Sequence, residues 1–147
     1  MNNLRAKILG IGIDTCYIPR FQQLIQKHGD KILKRIFTDQ EIDQQPKQKF
    51  KQSQYFASRW AVKEATVKAL GVSGIGSKCM YLVSSQSLSP PTLKLQGEAL
   101  KALQNRVSQL NKTDDPIDRS EPLWTAHVSL SHDQDYAVAI VIIEYLL

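Results

Sequence analysis

Residues 54–71 read QYFASRWAVKEATVKALG, an almost wholly apolar helical stretch that nevertheless carries Arg59, Lys63, Glu64 and Lys68. The i, i+4 series Phe56, Trp60, Glu64, Lys68 is one stripe passing from aromatic to ionic, while Ala57, Ala61, Ala65 and Ala69 form a small-residue stripe suited to close packing. Hardly any face is left for water. Burying a carboxylate or an ammonium unpaired costs about several kcal/mol, so ions placed this way are paired, bound to metal, or turned toward a charged ligand. The plainer alternative is a Glu64–Lys68 pair on an exposed helix edge, which contributes only about 0.3–0.5 kcal/mol.

Working outward, residues 7–14, KILGIGID, predict a strand with Ile8, Gly10 and Gly12 on one face and Leu9, Ile11 and Ile13 on the other, stopping at Asp14. Glycines at alternate positions strip one face of side chains and let a helix or a ligand approach the backbone. The alanine stripe fits there, which brings Asp14 toward Glu64. Two carboxylates without His or Cys partners suit a hard cation, and Mg²⁺ takes one or two carboxylates with water and substrate phosphate completing its shell. Asp14 read alone is equally a helix cap for the IPRF segment that follows.

Near the carboxyl terminus HVSLSHDQDYAVAIVIIE alternates His127, Ser129 and Ser131 with Val128 and Leu130, turns at HDQD, and continues as a nearly unbroken apolar run over residues 136–143. This predicts a half-buried strand, a turn and a fully buried strand. His132 then sits at the lip of a sheet, within reach of a phosphate or a substrate hydroxyl. A lone loop histidine is otherwise simply solvated.

GIGID, FASRWAVKEATVKALG and VSLSHDQDYAVAIVIIE, in this order and over this length, resemble the holo-acyl-carrier-protein synthase family of small phosphopantetheinyl transferases. Arg20 in IPRF, RIFTDQEI and LKLQGEALKAL extend the resemblance over nearly the whole chain; residues 71–89 match least, and residues 105–122 look longer and more polar than is usual. The resemblance implies transfer of the 4′-phosphopantetheine arm of coenzyme A to a serine of an apo acyl carrier protein, releasing adenosine 3′,5′-bisphosphate. It implies Mg²⁺ held by Asp14 and Glu64, and Lys68 stabilising charge on the diphosphate. Arg59 and His132 would engage phosphates of coenzyme A, the nucleotide would approach the backbone at Gly71, and Arg20 would dock the acidic carrier. Catalytic roles fall on Glu64, Lys68 and His132, with no general base identified beyond metal-bound water or His132. The family also implies a homotrimer with sites between neighbours.

The remaining chain is organised simply. PRFQQLIQKHG predicts a first helix with Pro19 early and Gly29 as its stop, and Thr38 with Glu41 makes a capping box for a short helix. Residues 80–84 and 92–96 predict two strands, and Gly97 opens an amphipathic helix with Leu100, Leu103, Val107 and Leu110 on one face. The order βααα, ββ, α, ββ is α+β, a mainly antiparallel sheet packed with a long central helix, and the resemblance implies the 4′-phosphopantetheinyl transferase fold in one domain over residues 1–147.

Composition agrees with that reading. A chain of 147 residues can bury a sizeable core. A formal charge of +5 favours an acidic partner, and no nucleic-acid motif or stacking aromatic pattern accompanies it. Cys16 and Cys79 have no metal-motif spacing and read as free thiols in a reducing compartment. No apolar stretch reaches the roughly twenty residues of a membrane span. The expectation is an intracellular protein, cytoplasmic if bacterial and mitochondrial if eukaryotic, binding neither membrane nor nucleic acid. Three alternatives remain: a noncatalytic carrier-binding subunit of the same fold, a transferase domain within a larger fatty-acid synthase and, last, a basic nucleic-acid-binding module, whose binding would fall steeply with salt and not depend on Mg²⁺. The four retained residues Asp14, Glu64, Lys68 and His132 count against the first, and the start at Met1 against the second.

Overall fold

The computed structural model describes residues 6–83, 90–111 and 123–146. Strand β1 (Ala6–Tyr17) leads into helices α1 (Ile18–His28), α2 (Asp30–Ile36), α3 (Asp39–Asp43) and the long α4 (Lys49–Leu70). A 3₁₀ turn at Ser77–Cys79 precedes β2 (Met80–Val83), and β3 (Thr92–Leu95), α5 (Gly97–Asn111), β4 (Trp124–Asp133) and β5 (Tyr136–Leu146) complete the order. All strand pairs are antiparallel: β1, β5 and β4 form a three-stranded sheet with β5 central, and β2 with β3 forms a separate two-stranded one. The α+β class with a long central helix is as the sequence predicts. The fourth helix, α2, was not expected; it starts directly after Gly29, which stops α1 at φ 57°.

Helix α4 lies on one face of the three-stranded sheet because both surfaces are stripped to small residues. Ala57, Ala61, Ala65 and Ala69 are fully buried. A β-carbon added at Gly12 would stand 1.8 Å from the Ala65 carbonyl oxygen, and one at Gly10 2.0 Å from that of Ala69. Only glycine permits this backbone-to-backbone approach. The helix ends at Gly71, left-handed at φ 65°, whose N–H donates to the carbonyls of Lys68 and Val67. Arg106 from α5 donates through Nη1 to the Ala69 carbonyl at 2.8 Å, satisfying another of the exposed carbonyls of that last turn.

Three sequence expectations change. The register of β1 shifts between Ile8 and Gly10, so Leu9 turns into the core at 5% exposure while Ile8, with Ile11 and Ile13, faces outward. The bulge reverses the predicted faces of Ile8 and Leu9. Nor does β1 stop at Asp14: it runs to Tyr17, and Asp14 pairs with Ala139 inside the sheet, so it caps no helix. Finally, β5 is not buried on both sides. Ala137, Ala139, Val141 and Ile143 are buried under α4, whereas Tyr136 and Ile140 are exposed on the outer face. On α5, Leu103 and Val107 are buried and Leu100 packs against the core, while Leu110 is 40% exposed. Ser84 lies outside the described residues.

Candidate active site

Close packing of Gly12 on Ala65 sets the height at which the next inward side chain of β1, Asp14, meets α4. Lys68 reaches it from the helix: its Nζ donates to Asp14 Oδ1 at 2.7 Å and to the Ile13 carbonyl at 2.9 Å. The pair is partly solvated, with Lys68 53% and Asp14 18% exposed, so its role in stability is small. Glu64 stands one helical turn before Lys68 on the same face, half-buried, with no hydrogen bond or ion pair among the described residues. The Glu64–Lys68 pair that would have explained both charges is therefore not the one formed. Asp14 and Lys68 thus meet at one edge of the helix-sheet interface, with Glu64 one turn away on the same helix face.

His132 shares that side of the sheet. Asp14 is opposite Ala139 and Leu130, and Cys16 opposite Ala137 and His132, so all of these lie on the α4 face. His132 is exposed, one residue before the end of β4, and a two-residue turn at Gln134 and Asp135 closes the hairpin. Burial pushes the Cys16 thiol up to about 11, despite the opposing Arg20 guanidinium, which keeps it protonated and inert near neutrality.

Arg59 is placed differently. It is 8% exposed, its guanidinium carbon lies 3.4 Å from the centre of the Tyr55 ring, and its Nε has no hydrogen-bond partner among the described residues. Burial lowers its pKa, with Tyr55 and Glu41 opposing that shift. Gly71 is exposed beside the Arg106 guanidinium, and the residues that follow it, 72–75, line a cleft of about 320 Å³ against α5. Arg20, exposed on α1, borders a small hollow of about 60 Å³ floored by Phe21, Leu24, Ile36 and Trp60. Phe21 is 3% exposed, so it is core as well as floor.

One ionic element was missed by the sequence reading. Lys63 and Glu41 form a buried ion pair at 2.9 Å, 2% and 1% exposed. Glu41 completes the capping box with Thr38 as expected, and its Oε2 takes the ammonium as well. The signal was present in Lys63, an ammonium on a helix without a wet face. Glu41 was absorbed by its role as a cap.

The donor set at Asp14 and Glu64 is all-oxygen and doubly anionic, and Glu64 carries an unengaged carboxylate, which fits a hard divalent ion completed by water and phosphate. Among the described residues no group of three or more His, Cys, Asp or Glu could hold a metal, which leaves this pair short of a closed protein cage.

The chain belongs to the 4′-phosphopantetheinyl transferase superfamily, whose family model matches residues 10–141. It is 37% identical over 141 residues to the holo-[acyl-carrier-protein] synthase of Wolbachia pipientis from Culex pipiens, covering 92% of this chain and 97% of that one. The synthase of Trichlorobacter lovleyi is 38% identical over 141 residues, covering 93% and 98%. Among solved structures, the holo-ACP synthase of Plasmodium yoelii superposes with a TM-score of 0.73 at 18% identity, covering 95% of this chain and 97% of that one, a likeness of fold. A Bacillus anthracis holo-(acyl-carrier-protein) synthase in complex with CoA (3′,5′-ADP) gives a TM-score of 0.62 at 25% identity, covering 93% and 96%.

Proposed function

We propose that Asp14, Glu64 and Lys68 are the centre at which this chain moves 4′-phosphopantetheine from coenzyme A to a serine of apo acyl carrier protein, the reaction for which its relatives are named. The observation that carries the assignment is the convergence of the Asp14 carboxylate and the Lys68 ammonium at 2.7 Å beside an unpartnered Glu64. Asp14 and Glu64 hold Mg²⁺; when bound, the ion supplies Lewis-acid neutralisation of the diphosphate. Lys68 acts as a mobile point charge toward the same diphosphate. His132, exposed on the α4 face of the sheet, receives a phosphate of coenzyme A, whereas the buried guanidinium of Arg59 lies against the Tyr55 ring. Gly71, which has no side chain, lets the nucleotide lie against the backbone at the mouth of the cleft. Positioning of a dense anion beside a serine hydroxyl carries most of such a phosphoryl transfer.

Arg20 and the hollow beside it form the docking point for the acidic carrier, and the chain's formal charge of +5 favours the encounter. The outer face of the three-stranded sheet exposes Ile8, Ile11, Ile13, Tyr17, Tyr136 and Ile140 together. A contiguous apolar patch of this kind supports a self-association surface, and the assembly we propose is a homotrimer. No helix among the described residues is long and apolar enough to cross a membrane. The location we propose is intracellular, cytoplasmic if the source is bacterial and mitochondrial if it is eukaryotic. Intact-mass measurement of apo carrier incubated with the chain, coenzyme A and Mg²⁺ tests the function: gain of one phosphopantetheine group is expected, and an unchanged carrier that still binds the chain marks a noncatalytic subunit.

A further inference from the structure

The buried ion pair between α3 and α4 takes no part in the chemistry above, yet it is tied to the coenzyme side of the site. Lys63 Nζ donates to Glu41 Oε2 at 2.9 Å, to the Ser77 carbonyl at 2.9 Å and to the Met80 carbonyl at 2.6 Å. All three ammonium donors are used, two of them on backbone flanking the Ser77–Cys79 turn. Glu41 Oε2 is itself fixed, accepting from the Thr38 N–H at 2.9 Å and the Thr38 hydroxyl at 3.1 Å. Ser77 is held from its other side, its hydroxyl donating to the Ile36 carbonyl at 2.9 Å. Burying an ion pair is a costly way to gain stability, since well-packed apolar side chains serve as well; what it adds is a fixed position for the groups it binds.

The segment so fixed runs from Gly71 to Ser77. Its first end hangs on the last turn of α4, where the Gly71 N–H bonds the carbonyl of Lys68 itself. Its far end hangs on Lys63. Between them Val72, Gly74 and Ile75 form one wall of the 320 Å³ cleft, Glu98, Lys101 and Asn105 of α5 stand in the other, and the Gly76 N–H donates across to Glu98 Oε2 at 3.5 Å. A ligand with its diphosphate at Lys68 would have to pass Gly71 and the Arg106 guanidinium beside it to enter this cleft.

We propose that Lys63 and Glu41 are positioning residues for coenzyme A: by clamping Ser77 and Met80 they set the distance between the 72–75 wall and α5, and hence the fit of the nucleotide end of the substrate. This inference rests on the reading that Lys68 meets the diphosphate. It predicts an effect on coenzyme A alone, since neither residue touches the carboxylate pair or the Arg20 surface.

Removing either partner singly leaves a buried charge unpaired, so the pair is exchanged together as Glu41→Gln with Lys63→Met, which retains volume and a cap acceptor. Adenosine 3′,5′-bisphosphate binding is measured by titration calorimetry, and transfer kinetics are measured with coenzyme A and carrier varied separately. The clamp predicts that the bisphosphate Kd and the coenzyme A KM rise by about tenfold, with kcat at saturation and the carrier KM unchanged, the pattern of lost binding. Ser77→Ala, which loosens the same segment from its other side, is expected to raise the same two constants by about threefold and provides the decision if the double variant does not fold. Wild-type bisphosphate affinity in a folded double variant, or in Ser77→Ala when the double variant is unfolded, overturns the clamp. Absence of transfer by the wild-type chain refutes the transferase reading instead, and the calorimetric comparison still decides the clamp.

Discussion

Replacing Gly12 by alanine adds one methyl group where strand and helix leave no room for it. The new β-carbon would lie 1.8 Å from the Ala65 carbonyl oxygen and 2.8 Å from both the Ala65 carbonyl carbon and the Ala69 nitrogen. Restoring an ordinary contact requires α4 to retreat by about 1.7 Å, because non-bonded atoms settle near about 3.5 Å. No flexible side chain can yield instead, since all the near atoms are backbone. The retreat opens the whole stripe Ala57, Ala61, Ala65 and Ala69, each of which is 0% exposed. Overpacking costs about 1–3 kcal/mol, and an immovable backbone obstacle puts Gly12→Ala at about 3 kcal/mol. For a chain of this size that is a fall in Tm of about 6–12 °C. The same movement carries Glu64 and Lys68 away from Asp14, and a misplacement of about 1 Å lowers turnover by about a hundredfold. Gly74→Ala is the control: its φ is 76° but nothing lies within 4 Å, so it bears only the cost of a left-handed backbone, about 1 kcal/mol. Thermal and urea melts of both variants decide the matter. A Gly12→Ala chain that melts within a degree of the wild type, with full turnover, refutes the close packing of β1 on α4 and the placement of the site that depends on it.

Other expectations follow from the same geometry. Lys68→Met should lower turnover and coenzyme A affinity while changing stability by less than about 1 kcal/mol, because its pair with Asp14 is half solvated; normal kinetics with a lowered Tm would make the pair structural only. Arg20→Glu should weaken carrier binding and flatten its salt dependence with coenzyme A affinity unchanged, read by titrating each at low and moderate ionic strength; equal losses would place Arg20 in the nucleotide pocket. Ile11→Lys with Ile13→Lys, at side chains 59% and 54% exposed on the outer sheet face, should convert the proposed trimer into folded monomers by light scattering; an unchanged mass would remove the assembly from that face.

What the sequence revealed and what it hid divide along physical lines. The Gly10, Gly12 and alanine stripes were legible because small residues at strand and helix periods have one simple use, close approach, and the packing of Ala65 and Ala69 on those glycines is that use. The capping box at Thr38 and the stop at Gly71 were legible because their partners lie within a few residues. The bulge after Ile8 was not, since no residue there demands it, and without it Ile8 and Leu9 were assigned to each other's faces. The Lys63–Glu41 pair escaped because its members stand 22 positions apart in different motifs. Asp14 and Lys68, 54 positions apart, were brought to one site by the family resemblance together with the glycine stripe.

The most direct test of the central claim, that Asp14 and Glu64 form a Mg²⁺ site serving phosphopantetheine transfer, is a Mg²⁺ titration of initial transfer rate for the wild-type and Glu64→Gln chains, with Mn²⁺ binding followed in parallel by electron paramagnetic resonance. Gln keeps the volume of Glu64 and removes the charge that attracts a hard cation. The account predicts a saturable metal dependence for the wild type, abolished by chelator and restored by Mg²⁺. It predicts for Glu64→Gln an unchanged fold, weak Mn²⁺ binding and no transfer at any metal concentration that saturates the wild type. A Glu64→Gln chain with wild-type rate and wild-type metal dependence would contradict it.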